Sequence, residues 1–189
     1  MTTDKKELKK LLEEEMKLYG ITKKNIREKR FRHTKNYMLW QAVKNLRKYE
    51  FMCALRDKSK NSFTAHIKAF RVKLADRKMN KSFERVDVEL TPSMIGKNIR
   101  ICHDNVVIYG YIGDNCTFHG NNVVGNKRTG AHNEVPKIGS NVDIGYGAMI
   151  IGDVEIADNC VIGAGAVVTK SFPKAGSIIA GVPANVIEK

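Results

Sequence analysis

The sequence lacks a long apolar run, a secretory leader and any recognisable cysteine spacing, and each absence removes a class of protein. No stretch is apolar and long enough to cross a membrane, and the opening MTTDKKELKK is not a signal peptide. The four cysteines show neither paired nor metal-ligand spacing. We therefore expect a cytoplasmic protein whose thiols stay reduced.

Charge is present in quantity but is unevenly distributed. Residues 1–90 hold 25 lysines and arginines against 12 acidic residues, a net of +13, whereas residues 91–189 hold 8 of each. A basic half of this kind is either a solvated helical surface or a contact for nucleic acid, anionic lipid or an acidic polymer. No base-reading or aromatic-stacking motif accompanies the charge, which favours the solvated surface.

A six-residue period dominates the second half. It fits neither the 3.6-residue helix nor a hairpin strand, and it is typical of a parallel β-helix in which three hexads close one coil. The period predicts that Ile138 stacks on Ile156 and Ile144 on Ile162. The unbroken series is Ile138, Ile144, Ile150, Ile156, Ile162 and Val168.

The same period extends upstream with two interruptions. Residues 125–137 break it, and this segment is predicted to be a loop extruded from the coil, where binding residues are expected. Cys116 and Cys160 share one position of the hexad, which predicts a small interior slot near a corner. The upstream series is Ile95, Ile101 and Val107, then a five-residue step to Ile112, followed by Phe118 and Val124.

Helical spacing characterises the first 84 residues. Asp4 and Glu7 predict a capped helix that ends at Gly20, and two further helices are predicted from Tyr37 to Arg56 and from Phe63 to Met79. Residues 23–35 are interpreted as a linker or mobile arm, and 84–90 as a strand. The prediction is a mainly β protein: a basic helical domain at 1–84 precedes a β-helix domain at 85–189.

Three histidines fall in the predicted β-helix domain and are candidates for acid–base chemistry. A histidine on a rigid coil suits the removal of a hydroxyl proton, and a carboxylate that fixes its tautomer improves it. Glu89 precedes His103 by fourteen residues, just under one coil, so the two could lie side by side. His119 is on the coil and His132 is in the extruded loop.

Residues 95–189 resemble the hexapeptide-repeat acyltransferases, whose fold is a left-handed β-helix. The segment PKIGSNVDIGYGAMIIGDVEIADNCVIGAGAVVTKSFP and the later AGVPA are most similar to the serine acetyltransferase branch and its relatives from surface-polysaccharide clusters. This resemblance implies an acetyl-CoA-dependent O-acetyltransferase that needs no metal. Its acceptor would be a hydroxyl of L-serine or of a sugar.

The resemblance also implies roles for individual residues. IGKNIRICH resembles the segment that ends in the family's catalytic histidine, which assigns that role to His103, and VELTP assigns Glu89 as its orienter. Two departures weaken L-serine as the acceptor: Cys102 stands where the family has aspartate, and an Arg-His pair is displaced in GAHNEVPK. The remaining implied residues are Gly145, Ala164 and Lys170 for acetyl-CoA, with Asn185 in place of an arginine, and His119, Arg128 and His132 for the acceptor.

Partners and alternatives follow from the same resemblance. A homotrimer is expected, with His119 or His132 approaching His103 across an interface. A cysteine-synthase partner is not expected, because the family's docking extension is missing after Ile187. The alternatives are a non-catalytic scaffold or nucleic-acid binder acting through the basic domain and, more remotely, a γ-class carbonic anhydrase with three histidine ligands.

Overall fold

The computed structural model describes residues 2–28, 30–58, 62–131 and 133–187. The chain divides into two compact units, Met1–Val86 and Asp87–Lys189. Among the described residues, no helix combines the length and the apolar character needed to cross a membrane.

Three α-helices form the first unit: α1 (Lys5–Leu18), α2 (Lys35–Asp57) and α3 (Ser62–Glu84). The predicted cap is confirmed, because Asp4 accepts a hydrogen bond from the Lys6 backbone N–H at 2.7 Å. Thr34 caps α2 by accepting from the backbone of Tyr37.

The segment at 23–35, interpreted as a linker or mobile arm, connects α1 to α2 and contains 3-10 turns at Asn25–Arg27 and Arg30–His33. Two predicted element boundaries are wrong. Helix α3 continues past Met79 because Phe83, one turn later, extends its buried face. The strand predicted for 84–90 is therefore reduced to β1 (Val88–Leu90).

A buried ionic cluster lies inside the helical unit. The Arg47 guanidinium donates to Glu15 at 2.8 Å and to Glu50 at 3.0 Å, and the side chains of Arg47 and Glu15 are 3% and 0% exposed. Burial alone would lower the pKa of Arg47, but the two carboxylates reverse this and raise it. Burial raises the pKa of Glu50, and Arg47 opposes that rise.

Short strands build the second unit as successive parallel coils. They form three sheets with the orders β1-β3-β6-β9-β12, β10-β7-β4 and β14-β13-β11-β8-β5-β2. Among the strands of the described residues, β13 and β14 alone pair antiparallel. After β1, the strands are β2 (Arg100–Ile101), β3 (Val106–Ile108), β4 (Tyr111–Ile112), β5 (Thr117–Phe118), β6 (Val123–Gly125), β7 (Lys137–Ile138), β8 (Asp143–Ile144), β9 (Met149–Ile151), β10 (Glu155–Ile156), β11 (Val161–Ile162), β12 (Val167–Val168), β13 (Ile178–Gly181) and β14 (Ala184–Val186).

The register confirms the predicted stacking. Ile156 pairs with Ile138 and Ile162 with Ile144. Cys116 and Cys160 are fully buried, as the interior slot requires. The break at 125–137 is also confirmed as an excursion, since β6 ends at Gly125 and β7 begins at Lys137.

One ladder position was assigned wrongly. Val107 is only half-buried, whereas Ile108 is 1% exposed and pairs with Val124. The step after Ile101 is therefore seven residues, and the next step, to Ile112, is four. The error arose because Val106, Val107 and Ile108 are all aliphatic, so periodicity alone could not select among them.

Asparagines turn the corners of the coils. Asn98, Asn115 and Asn141 all have φ between 55° and 59°, the left-handed region in which asparagine is more readily accommodated than most residues. Their side chains also form a ladder, with Asn98 donating to Asn115 at 3.0 Å and Asn115 to Asn141 at 3.1 Å. Coil direction and coil stacking are thus fixed by the same residues.

Candidate functional site

His103 lies at a corner of the β-helix, just after β2, and stacks on Gly120 of the next coil. A β-carbon at Gly120 would lie 2.5 Å from the His103 Cβ and 3.3 Å from the Tyr146 ring. Gly120 also has φ +115°, so this position requires glycine for two reasons. The missing side chain lets Tyr146, one coil further on, reach the imidazole edge to face, with ring centroids 6.3 Å apart.

A buried asparagine fixes the backbone beneath this corner. Asn122 is fully buried, accepts a hydrogen bond from the Gly120 N–H at 2.9 Å and donates to the Gly145 carbonyl at 2.7 Å. It therefore ties together the two coils that present Gly120 and Tyr146. A buried polar group with its hydrogen bonds satisfied favours a single geometry at the surface above it.

His119 and Asp143 form a pair beside His103. The His119 Nε2 lies 2.7 Å from an Asp143 carboxylate oxygen, and both side chains are about half-exposed. The pair is set by register, because Phe118 of β5 stacks on Ile144 of β8 and their neighbours follow. A carboxylate therefore lies against an imidazole here, as was predicted for Glu89 and His103, but the residues are Asp143 and His119.

Cys102 directly precedes His103 and lies near the His119–Asp143 pair. Burial raises the pKa of its thiol; the positive charge of Arg100 opposes the rise and the negative charge of Asp143 adds to it. Both charged groups thus lie close enough to act on the same sulfur atom. A positive and a negative group therefore flank the residue that precedes His103.

Glu89 lies on β1, exposed to solvent. The register places it beside Val107, four residues beyond His103. Its proposed role as orienter of His103 stays a prediction. Asp143, by contrast, is already hydrogen-bonded to an imidazole.

The residues predicted to bind acetyl-CoA lie on the coils that follow Gly120. Gly145 directly precedes Tyr146, and Asn122 binds its carbonyl, so Gly145 belongs to the corner occupied by His103. It stacks closely on the following coil, where an added β-carbon would lie 2.5 Å from the Ala164 backbone nitrogen. The Lys170 ammonium donates to the Asn185 side chain at 2.6 Å and lies 5.7 Å from the centre of the Phe172 ring.

The extruded loop holds the remaining predicted acceptor residues. The Arg128 guanidinium lies 3.4 Å from Glu134, and Arg128 lines a shallow cavity of about 480 Å³ with Tyr109, Asn126 and Lys127. His132 lies outside the described residues. Within the described part of the chain, no group of three His, Cys, Asp or Glu side chains could hold a metal ion.

Sequence reasoning missed Arg100, Asp143 and Tyr146. Asp143 could have been found, because Phe118 and Ile144 are both ladder residues one coil apart. The residues on either side of them, which include His119 and Asp143, must then share the outer face of the sheet. No sequence pattern marks Tyr146. Its ring reaches His103, two coils earlier, only because Gly120 on the coil between them has no side chain.

A family model described as bacterial transferase hexapeptide (six repeats) matches residues 136–170. The serine acetyltransferase of Staphylococcus aureus strain Mu50 is 33% identical over 106 residues, covering 54% of this chain and 49% of that protein. The serine acetyltransferase of Synechococcus elongatus is 32% identical over 104 residues, covering 53% of this chain and 42% of that protein. The chain thus spans about half the length of the relatives it matches.

Solved structures agree with the sequence matches. Neisseria gonorrhoeae serine acetyltransferase superposes with a TM-score of 0.68 at 22% identity, covering 98% of this chain and 68% of that one. Brucella abortus serine acetyltransferase in complex with coenzyme A gives 0.65 at 21% identity, covering 97% and 68%. The predicted fold class, a left-handed β-helix preceded by a small helical domain, is confirmed. So is the predicted resemblance: the chain carries transferase hexapeptide repeats and is similar to serine acetyltransferases.

Proposed function

We propose that this chain transfers an acetyl group from acetyl-CoA to the hydroxyl group of a small acceptor. The observation that carries the proposal is the edge-to-face contact of His103 with Tyr146, with the His119–Asp143 pair on the neighbouring coils, on a fold shared with serine acetyltransferases. One of those structures holds coenzyme A, which supports acetyl-CoA as the donor.

His103 is the proposed general base. It would accept the proton of the acceptor hydroxyl while the hydroxyl oxygen attacks the thioester carbonyl, forming the new C–O bond. The tetrahedral intermediate then collapses, the C–S bond breaks, and the proton held by His103 returns to the leaving CoA sulfur. Imidazole suits both transfers because it exchanges a proton near neutral pH.

The C-terminal coils are the proposed binding region for the CoA portion. Gly145 and Ala164 lack long side chains, which allows the pantetheine arm to approach the backbone. The Lys170 ammonium is the proposed partner of a CoA phosphate. Its present partner, Asn185, is neutral and would be displaced or shared when the phosphate binds.

The proposed acceptor is an amino acid with a side-chain hydroxyl, of which L-serine is the simplest. Asp143 would bind the acceptor's ammonium group, since its carboxylate retains free lone pairs while His119 holds it in place. Arg100, near Cys102, would bind the acceptor's carboxylate. Asp143 and Arg100 would thus supply the negative and the positive charge that bind the two ends of an amino acid. The apparent absence of such groups from the sequence is what favoured a neutral sugar as the acceptor.

The proposed assembly is a homotrimer, and the proposed compartment is the cytoplasm, where the free thiols of Cys53, Cys102, Cys116 and Cys160 would stay reduced. In a trimer, His132 or Arg128 could reach the acceptor from a neighbouring subunit. We also propose that the basic helical unit meets an anionic surface.

The acceptor assignment is tested by CoA-thiol release with acetyl-CoA and a panel of L-serine, homoserine and simple sugars. Asp143→Asn should raise KM for L-serine about tenfold or more, because a charge-assisted hydrogen bond contributes roughly 1.5–3 kcal/mol. Its effect on kcat should be small. Asp153→Asn, another exposed aspartate of the β-helix, is the matched control.

The outcomes separate the two levels of the proposal. Faster turnover of a sugar than of L-serine, with no response to Asp143→Asn, would keep acetyl transfer but remove the amino-acid acceptor. No thiol release with any acceptor would remove the transferase function itself.

A further inference from the structure

Helix α3 presents an apolar stripe to solvent. Ile67, Phe70 and Leu74 are 48%, 64% and 48% exposed. Their spacing of three and four residues places them on one face, and Val72 and Met79 on the opposite face are buried. The stripe is therefore an additional surface rather than the core-facing side of the helix.

Cations surround this stripe on the same face. Four exposed cations lie three, four or seven residues after a residue of the stripe, and this spacing places them on its face of the helix. They are Arg71, Arg77, Lys78 and Lys81. Residues 62–86 hold seven lysines and arginines against two acidic residues. We call Ile67, Phe70 and Leu74, with Arg71, Arg77 and Lys78, the α3 patch.

A cavity continues from the basic part of the patch. It has a volume of about 380 Å³ and lies within the helical unit, lined by residues of α2 and α3. Lys78 belongs to both the patch and the cavity, so the two are contiguous. The lining consists of three cations, one of which directly follows α3, and four neutral hydrogen-bonding side chains: Lys78, Lys81, Arg85, Tyr37, Gln41, Asn45 and Ser82.

The electrostatics of this region favour an anion. Burial lowers the pKa of Lys44, and the nearby charges of Lys48 and Lys78 lower it further. Crowded cations of this kind are stabilised when a negative group enters between them. A phosphate would fit the donors of the cavity as well as its charge.

We infer that the α3 patch docks on an anionic lipid bilayer, with the apolar stripe entering the head-group region and the adjoining cavity holding a lipid phosphate. Interfacial helices combine bulky apolar residues with lysine and arginine in this way. The long cationic side chains can extend from the edge of the stripe to the head groups. This inference does not depend on the proposed acetyl transfer.

Other occupants fit the patch less well. Nucleic acid would use the cations and could stack one base on Phe70, but Ile67 and Leu74 offer no stacking platform for successive bases. A second copy would bring two positively charged faces together, which is unfavourable. A bilayer with anionic lipids matches both the apolar and the charged parts.

The test is co-flotation of the full chain with vesicles. Mixed phosphatidylcholine and phosphatidylglycerol vesicles should retain the protein at low salt and release it at high salt, whereas pure phosphatidylcholine vesicles should bind little. Phe70→Ser should lower the partition coefficient roughly tenfold, since it removes a large apolar side chain from the interface. Arg71→Gln and Lys78→Gln should each lower it about fivefold.

Two matched controls stand in the β-helix. Val182→Ser removes a side chain that is 72% exposed, and Lys174→Gln removes an exposed cation. Neither should change vesicle binding, and circular dichroism of every variant checks that the helices persist. Equal binding to both vesicle types, or binding unaffected by Phe70→Ser, would overturn the inference. So would a lower sedimentation mass of Phe70→Ser than of wild type without lipid, which would show that the patch joins copies of the chain. Salt-sensitive retention on DNA but not on vesicles would also overturn it.

Discussion

The two units of this protein build their cores in different ways. The β-helix stacks equivalent apolar side chains coil upon coil, so that Ile144 is buried between Phe118 and Ile162. The helical unit buries apolar side chains without a repeat, such as Leu39 and Leu46, and adds one ionic cluster around Arg47. A repeated apolar layer can be read from sequence period, whereas a single cluster of ions cannot. The β-helix was therefore predictable from sequence, whereas the cluster around Arg47 was not.

Removing the largest fully buried side chain of the ladder should produce the largest effect. Phe118→Ala should destabilise the β-helix by about 3–5 kcal/mol, because it leaves a cavity between neighbouring coils. Hydrogen exchange of peptides from each unit measures this locally. Val161→Ala, on the same sheet but 43% exposed, should change little. Equal losses in both variants would contradict the layered account.

The ionic cluster should respond almost as strongly, but only in the helical unit. Arg47→Leu leaves the carboxylates of Glu15 and Glu50 buried without their guanidinium, which should cost about 3 kcal/mol. Exchange should accelerate in peptides of α1 and α2. If it accelerates equally in the β-helix, the two units are not stabilised separately and the comparison fails.

A corner asparagine should have an intermediate effect. Asn141→Ala should cost about 1–2 kcal/mol, since alanine is strained at φ 57° and the hydrogen bond from Asn115 is lost. Asn141→Gly also loses the hydrogen bond, but glycine is not strained at this φ, so it should cost about half as much. Thermal unfolding of the pair separates the two contributions. Identical losses would assign the whole effect to the hydrogen bond.

The smallest effect concerns Glu50 and pH. Because burial raises the pKa of Glu50 in the folded state, its contribution to stability is present at low pH and is lost as pH rises through that value. Glu50→Gln should therefore be neutral or slightly stabilising at pH 7, with Arg47 still paired to Glu15. Urea unfolding at several pH values should show a flatter profile in the variant. A large loss at pH 7 would show that Arg47 needs both carboxylates.

The fold was predictable from sequence wherever one residue type repeats at one interval. Ile138, Ile144 and Ile150 specify the coil because each position admits only one inward side chain. At 106–108 three aliphatic residues are adjacent, and the structure buries Val106 and Ile108 but leaves Val107 only half-buried, a choice that the period alone could not make. The contact between Glu15 and Arg47 joins residues 32 apart in sequence, and neither position shows a period.

The candidate site was predictable only where a residue belongs to a local motif or to the six-residue period. His103 carried a motif, and its corner position follows from the hexad. The pairing of His119 with Asp143 follows from the register of Phe118 on Ile144, but the extruded loop enlarges that coil and separates the two residues by 24 positions, so no local motif marks them. The position of Tyr146 depends on a space left by Gly120, which no local pattern reveals.

The central claim is that this β-helix transfers acetyl groups through His103. Mass spectrometry of the products formed from acetyl-CoA and L-serine tests it most directly, comparing wild type, His103→Asn and the helical-unit control His66→Asn. We predict O-acetylserine from wild type and from His66→Asn, and a rate lower by about 10²–10⁴-fold in His103→Asn, the usual contribution of a general base. Product formed by His103→Asn at the wild-type rate would contradict the account.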